Sequence, residues 1–339
     1  MKIAVDKNCL DIAKKDNNEY IYLFDNEDYK ELLETGLHCI DYRYCEFVDI
    51  NLTDYEVECF KKCKITDKDW DKLPEKINYK IGIIIPNYNY EHTIEKCLNS
   101  ILNQTYKNYE IIFIDDVSTD KSVEIAKKLL KKPHKVIKLK QKRLNGGARN
   151  EAYLYLSDDV DYVYYIDSDD WLYDETALEK INRKLQKKPD VLFVGMASYK
   201  NGKTQECFIP QYKDKYEAFS GWSGSCGKVI KKSLATRQKC LYNEGTLKED
   251  KNQHCKICFY MNSFELLKEP IYVWNQSNSK SVTTIREKVI WGTSTIRHYA
   301  DTLQLALSIK GQDLKIDRLM EERIRKTKME VDNNGDRQW

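Results

Sequence analysis

The sequence has no apolar run near the roughly 18 residues that a membrane helix needs. Asp6, Lys7, Asp11, Lys14, Lys15 and Asp16 break up its first stretch, so neither leader nor anchor is expected there, and the chain reads as soluble and cytoplasmic with no transmembrane segment. Net charge is nearly absent as well: 56 Lys plus Arg stand against 54 Asp plus Glu, leaving +2 over 339 residues. No overall field draws such a chain to nucleic acid or an anionic membrane, and local runs such as Lys127-Lys128 and Lys131-Lys132 are ordinary helix faces, which disfavours a nucleic-acid partner. Internal repeats and low-complexity tracts are missing too. The 11 cysteines are scattered and odd in number, which excludes a compact disulfide framework and leaves reduced thiols. Cys255 and Cys258 beside His254 give too few ligands for a closed zinc shell and read as helical cysteines one turn apart.

What is present is a change of pattern near residue 80. Residues 1–79 are acidic and tyrosine-rich, with an apolar stretch over Tyr20-Ile21-Tyr22-Leu23-Phe24, a helix-like 28–33 and a charged, proline-marked end at 67–74. They are expected to form a small accessory region. From Ile81 the chain alternates apolar strands with amphipathic helices. Strands are predicted at 81–86, 110–114, 135–139, 162–166 and 190–194, and helices at 93–104, 120–130 and about 148–156. That order implies an α/β fold with a mainly parallel central sheet flanked by helices, Rossmann-like, in which ligands collect at the carboxyl ends of the strands. The domain is expected to span 80–284, with a loop over Gly221–Gly227, a helix from Glu249, and a helical C-terminal extension over 285–339. The two terminal regions are candidate surfaces for self-association.

Three segments directly follow strands. Asp167-Ser168-Asp169-Asp170 crowds three carboxylates together, and like charges raise one another's proton affinity unless a cation compensates. A divalent ion, Mn²⁺ or Mg²⁺, is the expected occupant, held by Asp169 and Asp167 and completed by water and ligand phosphates. Asp170 and Asp174 read as caps of a helix beginning near Trp171. Asp115-Asp116 repeats the arrangement, suited to accept from a base imide or a ribose hydroxyl, while Tyr88 offers a flat face to the base or is simply a half-buried aromatic. Asn145-Gly146-Gly147-Ala148-Arg149-Asn150 joins a glycine turn to a helix start, without the Lys-Ser/Thr pair of a phosphate-binding loop or the spacing of a dinucleotide fingerprint. Arg149 is then expected in a first helical turn, where the macrodipole disfavours a cation, so contact with an anion or carboxylate is its anticipated role.

In order, Pro86-Asn87-Tyr88-Asn89, Asp115-Asp116-Val117-Ser118-Thr119-Asp120, Gly146-Gly147-Ala148-Arg149-Asn150 and Asp167-Ser168-Asp169-Asp170 resemble the family-2 glycosyltransferases of the GT-A fold over about residues 80–195, and more loosely to about 284. The resemblance implies a nucleotide-sugar site in which Pro86, Tyr88, Asp115 and Asp116 hold the nucleoside. Arg149, Asp167 and Ser168 would join that site, with Asp169 on the metal. Lys248-Glu249-Asp250 looks like the family's Glu-Asp pair and makes Asp250 the candidate base. Trp222, Lys228 and Glu249 fall on the implied acceptor side. The glycine loop is shorter than the family's, Asn275 stands where the family often has Arg, and Ser281-Val282-Thr283 resembles the segment that follows. No Gln-x-x-Arg-Trp motif is present, which argues against a processive polymer synthase.

The implied reaction is metal-dependent transfer of a sugar from a UDP-sugar to a glycan, wall polymer or glycoconjugate, by single displacement with inversion. Two rivals are a non-catalytic sugar-nucleotide-binding scaffold and an enzyme acting on a modified nucleic-acid base. A nucleotidyltransferase is disfavoured, because no Gly-x-Gly-x-Arg-like loop follows the first strand.

Overall fold

The computed structural model describes residues 77–277 and 288–335, together with three short strands nearer the N-terminus. Those strands are β1 (Lys2–Val5), β2 (Tyr20–Tyr22) and β3 (Glu46–Asp49), and they form a sheet in the order β2-β1-β3 within a unit running from Met1 to Ile77. The helix expected at 28–33, the boundary at 67–74 and the 281–283 segment lie outside the described residues.

A second unit, Asn78–Trp339, carries the α/β pattern. Unbroken apolar runs are stable as strands only where both sheet faces are covered. β4 (Ile81–Asn87) is buried at every residue, α1 (Ile94–Leu102) returns over it, and β5 (Tyr109–Asp115) is likewise buried throughout. Then come α2 (Ser122–Leu129), β6 (Lys135–Lys138), α3 (Leu144–Ala152), β7 (Tyr162–Tyr165), β8 (Trp171–Leu172) and α4 (Ala177–Leu185). β9 (Val191–Lys200) and β10 (Lys203–Phe208) follow, then α5 (Lys215–Ser220), β11 (Lys228–Lys231), α6 (Lys232–Ala235), α7 (Glu249–Tyr260) and β12 (Phe264–Asn275). α8 (Lys288–Ile309) and α9 (Leu314–Gly335) close the chain.

The sheet runs β6-β5-β4-β7-β11-β9-β12-β8, with β10 beside β9. Its first half is parallel, as the strand–helix rhythm requires. The second half is mixed: β11 is antiparallel to β7 and β9, β12 is parallel to β9, and β8 is antiparallel to β12. The expected parallel sheet is continuous over β6-β5-β4-β7 and recurs in the β9-β12 pair, with antiparallel steps at β11, β8 and β10. One antiparallel step is local, since β9 turns into β10 through Asn201 (φ 50°) and Gly202 (φ 78°), a two-residue left-handed turn of the kind that joins hairpins.

Alternate strand residues divide the core. Ile83, Ile85, Ile111 and Phe113 pack with Ile94, Leu98 and Ile101 of α1 and with Leu178 and Ile181 of α4. Ile84, Ile112, Ile114 and Tyr165 share the opposite cluster with Ala148 of α3, Cys255 and Cys258 of α7, Leu305 and Ile309 of α8, and Ile316 and Met320 of α9. Both terminal helices thus contribute to the core of this unit.

Two local expectations are corrected. α3 begins at Leu144, four residues before the predicted start, so Gly146 and Gly147 are helical and Arg149 lies in the last turn, not the first. Glycine is there for room: a Cβ on Gly146 would stand 2.9 Å from the Asn243 carbonyl oxygen and 3.1 Å from Glu249 Cβ. Likewise, no helix begins at Trp171, which is in β8. Asp170 accepts from the Tyr272 hydroxyl and, at 2.7 Å, from the Asn275 amide, which ties β7's end to β12, while Asp174 accepts from the Thr176 amide at 2.9 Å just ahead of α4.

Candidate active site

The carboxyl ends of β4, β5 and β7 lie side by side, and the segments leaving them are locked together by short-range polar contacts. The Ser168 hydroxyl donates to the Pro86 carbonyl at 2.8 Å, joining the β7 end to the β4 end. Asn87 Nδ2 donates to Asp115 Oδ1 at 2.9 Å, joining β4 to β5. Asp115 is fully buried and also accepts from the Ser118 amide at 2.9 Å, so it shapes the turn after β5 and presents no open oxygen. Asp116 turns the other way and accepts from the amides of Arg143 (2.6 Å) and Leu144 (2.8 Å) at the start of α3. Burial raises its proton affinity and those two amides oppose the rise. Tyr88 is 38% exposed, with Lys142 Nζ 3.3 Å from its ring centroid, a cation–π contact over one face.

Arg149 is the centre of the site. It is 1% exposed, and its guanidinium reaches three carboxylates on two elements: Asp167 Oδ1 at 2.7 Å through one terminal nitrogen, and Glu249 Oε1 at 2.9 Å and Asp250 Oδ1 at 3.2 Å through the other. Its last-turn position explains the reach, because the side chain leaves α3 towards the sheet end and the N-terminus of α7. Burial alone would lower its proton affinity, yet the charges of Asp167 and Asp250 hold the guanidinium well above its ordinary value. Glu249 is different: burial and the adjacent Asp250 push its carboxyl up to about 8. One cation divided among three carboxylates does not offset the desolvation of the most buried of them.

The network extends to residues that no local pattern marks. The Ser225 hydroxyl donates to Asp250 Oδ1 and lies 2.7 Å from the Tyr242 hydroxyl. Ser225 is in the short turn before β11. Gly224 on its N-terminal side makes room for the Trp222 indole, since a Cβ there would fall 2.1 Å from the ring. Trp222 is half-buried and packs on Phe208 at 5.3 Å between ring centroids. Lys228, expected on the acceptor side, is fully buried and donates to the carbonyls of Ser223 (3.0 Å) and Gly224 (2.6 Å), pinning this turn from within.

Asp169 and Asp167 are the candidate metal ligands, and they leave β7 beside Asp170. Burial raises the proton affinity of Asp170, and the charges of Asp169 and Asp167 raise it further, the mark of a negative field at this strand end. Asn275 donates through Nδ2 to the Asp169 carbonyl at 3.1 Å and so supports the turn. Among the described residues no group of three or more His, Cys, Asp and Glu side chains is arranged to hold a metal. Cys255 and Cys258 are free thiols buried in α7.

The sequence-marked residues Arg149, Asp167, Glu249 and Asp250 therefore meet, with Pro86 and Ser168 directly behind them. Residues 82–260 match the family model described as glycosyl transferase family 2. The chain belongs to that family. Over 109 residues it is 41% identical to the glycosyltransferase GlyA of Streptococcus pneumoniae, a match covering 31% of this chain and 15% of the relative. Over 117 residues it is 37% identical to a poly(ribitol-phosphate) β-glucosyltransferase of Bacillus spizizenii, covering 33% of this chain and 18% of that one. The chain thus spans less than a fifth of the length of either relative. Residues 1–349 of S. aureus TarS, in a crystal with UDP-GlcNAc, share the fold with a TM-score of 0.60 at 21% identity, over 73% of this chain and 71% of that one. The family-2 domain has the GT-A architecture, and no helix among the described residues is long and apolar enough to cross a membrane.

Proposed function

We propose that this family-2 glycosyltransferase moves a sugar from a UDP-sugar to a hydroxyl of a glycan, wall polymer or glycoconjugate, by one displacement that inverts the anomeric centre. The observation that carries the reading is Arg149 holding Asp167 and Asp250 on its two terminal nitrogens at the carboxyl end of the sheet. One carboxylate belongs to the strand-end donor cluster and the other opens α7, so a sugar bound between them has its diphosphate on one side and a base on the other. Asp250 is 35% exposed at its side chain and accepts the acceptor's proton as that oxygen attacks C1; the bond from C1 to the diphosphate breaks and the diphosphate departs with the electron pair.

Asp169 and Asp167 offer the hard oxygen donors that Mn²⁺ or Mg²⁺ takes, and such an ion, when bound, neutralises charge on the departing diphosphate. Tyr88 supplies a face for the base, with Lys142 displaced from the ring face it covers or retained opposite the base, while Asp116, buried and accepting a backbone amide on each oxygen, fixes the start of α3 beside it. The UDP-GlcNAc complex of the TarS fragment, which shares this fold, supports the choice of donor.

Asp250→Asn replaces the carboxylate by a carboxamide of the same shape and removes the base. The variant should bind UDP as the wild type does, by calorimetry, while release of UDP from UDP-N-acetylglucosamine falls by about 100-fold or more, the range of a lost general base. Turnover at the wild-type rate would remove Asp250 from the reaction.

A further inference from the structure

Asp250 uses its two oxygens unequally. Oδ1 accepts from Arg149 and from the Ser225 hydroxyl, whereas Oδ2 takes neither contact. Ser225 has a single hydroxyl proton. An ionised carboxylate has none to give, so that proton lies towards Asp250. The remaining contact, 2.7 Å to Tyr242, is then open to the phenol's own proton, for which the Tyr165 hydroxyl is the other neighbour. Tyr242 and Ser225 are both buried, at 3% and 2% exposure, so no water competes for these bonds. The turn that carries Ser225 is fixed by Lys228 through the carbonyls of Ser223 and Gly224.

We propose that Ser225, oriented by Tyr242, is a positioning residue that fixes the rotation of the Asp250 carboxylate and presents Oδ2 to the acceptor hydroxyl. This rests on Asp250 being the base. The relay runs from the Tyr242 hydroxyl to Ser225 Oγ and from the Ser225 hydroxyl to Asp250 Oδ1. Two bonds on one oxygen, from Arg149 on one side and Ser225 on the other, define the carboxylate plane, which one ion pair alone leaves free to turn. Lys228 acts one step further back. Its ammonium holds the turn and touches neither Asp250 nor a substrate, which gives the buried lysine a role different from acceptor contact.

The test is UDP release from UDP-N-acetylglucosamine, with water as acceptor, by wild type, Ser225→Ala, Ser225→Thr, Tyr242→Phe and Asp250→Asn, with UDP affinity and melting temperature measured on each. Ser225→Ala should lose about tenfold in kcat with KM for the donor and UDP affinity unchanged, Ser225→Thr should recover most of the loss, and Tyr242→Phe should fall between. A structural role would instead move KM and melting temperature together with kcat. If Asp250→Asn is inactive while Ser225→Ala and Tyr242→Phe turn over like the wild type, the positioning role is wrong and the base stands. If Asp250→Asn itself turns over normally, the reading of the base fails. Should Ser225→Ala not fold, Tyr242→Phe carries the same comparison.

Discussion

Arg149 is one buried cation shared by Asp167, Glu249 and Asp250. Its sequence context points to a carboxylate or anion partner, and it has three, although it lies in the last helical turn and not in the first, where the macrodipole would disfavour it. The partners come from residues 167, 249 and 250, and no local pattern reveals such a meeting. Glu249 supplies the consequence. Its folded-state proton affinity corresponds to about 8 against 4.5 for an ordinary glutamate, so the folded protein retains a proton that the unfolded chain releases across that interval. A raised carboxyl pKa contributes stability that is fully present at low pH and is lost as pH rises through the window. The wild-type melting temperature, relative to that of Glu249→Gln, should therefore decline between about 4.5 and about 8. Parallel melting curves for the two proteins across that range would show that Glu249 is ionised throughout.

At the scale of elements, strands and amphipathic helices of the parallel half were readable because burial on both sheet faces demands uninterrupted apolar runs, as in β4 and β5. Element boundaries at functional turns were less readable. Gly146 and Gly147 signal a turn locally, but tertiary crowding by Asn243 and Glu249 selects glycine inside a helix. Asp170 signals a cap, but β12 takes it as a partner. The mixed half of the sheet was missed because the pairings of β11 and β8 depend on distant strands. Helix propensity and packing make opposite forecasts for Gly146→Ala. In an open helix alanine would stabilise by roughly 0.5 to 1 kcal/mol. Here the added carbon meets a backbone carbonyl at 2.9 Å, so chemical denaturation should show a loss of about 1 to 3 kcal/mol. A gain in stability would mean that the 243–249 segment yields freely.

At the scale of the molecule, the proposed site is assembled from parts that the chain delivers separately: Pro86 at the end of β4 and Tyr88 just beyond it, Asp116 after β5, Arg149 from α3, Asp167 and Asp169 after β7, and Asp250 at the start of α7. The strand-end residues proposed to hold the donor are legible in the sequence, because the rule that ligands gather at strand ends applies to any parallel sheet. The acceptor half was less so: Ser225 and Tyr242 are marked by neither composition nor periodicity, and Lys228 carries a charge that points inward. Whether the strand-end carboxylates form the proposed metal-assisted nucleotide site is tested by calorimetric titration of UDP into wild type and Asp169→Ala, each with Mn²⁺ and with chelator. The account predicts binding by the wild type that weakens at least about tenfold on chelation, and a variant that binds weakly and alike in both buffers. Equal affinity in all four titrations, or no binding by the wild type with Mn²⁺, would contradict it.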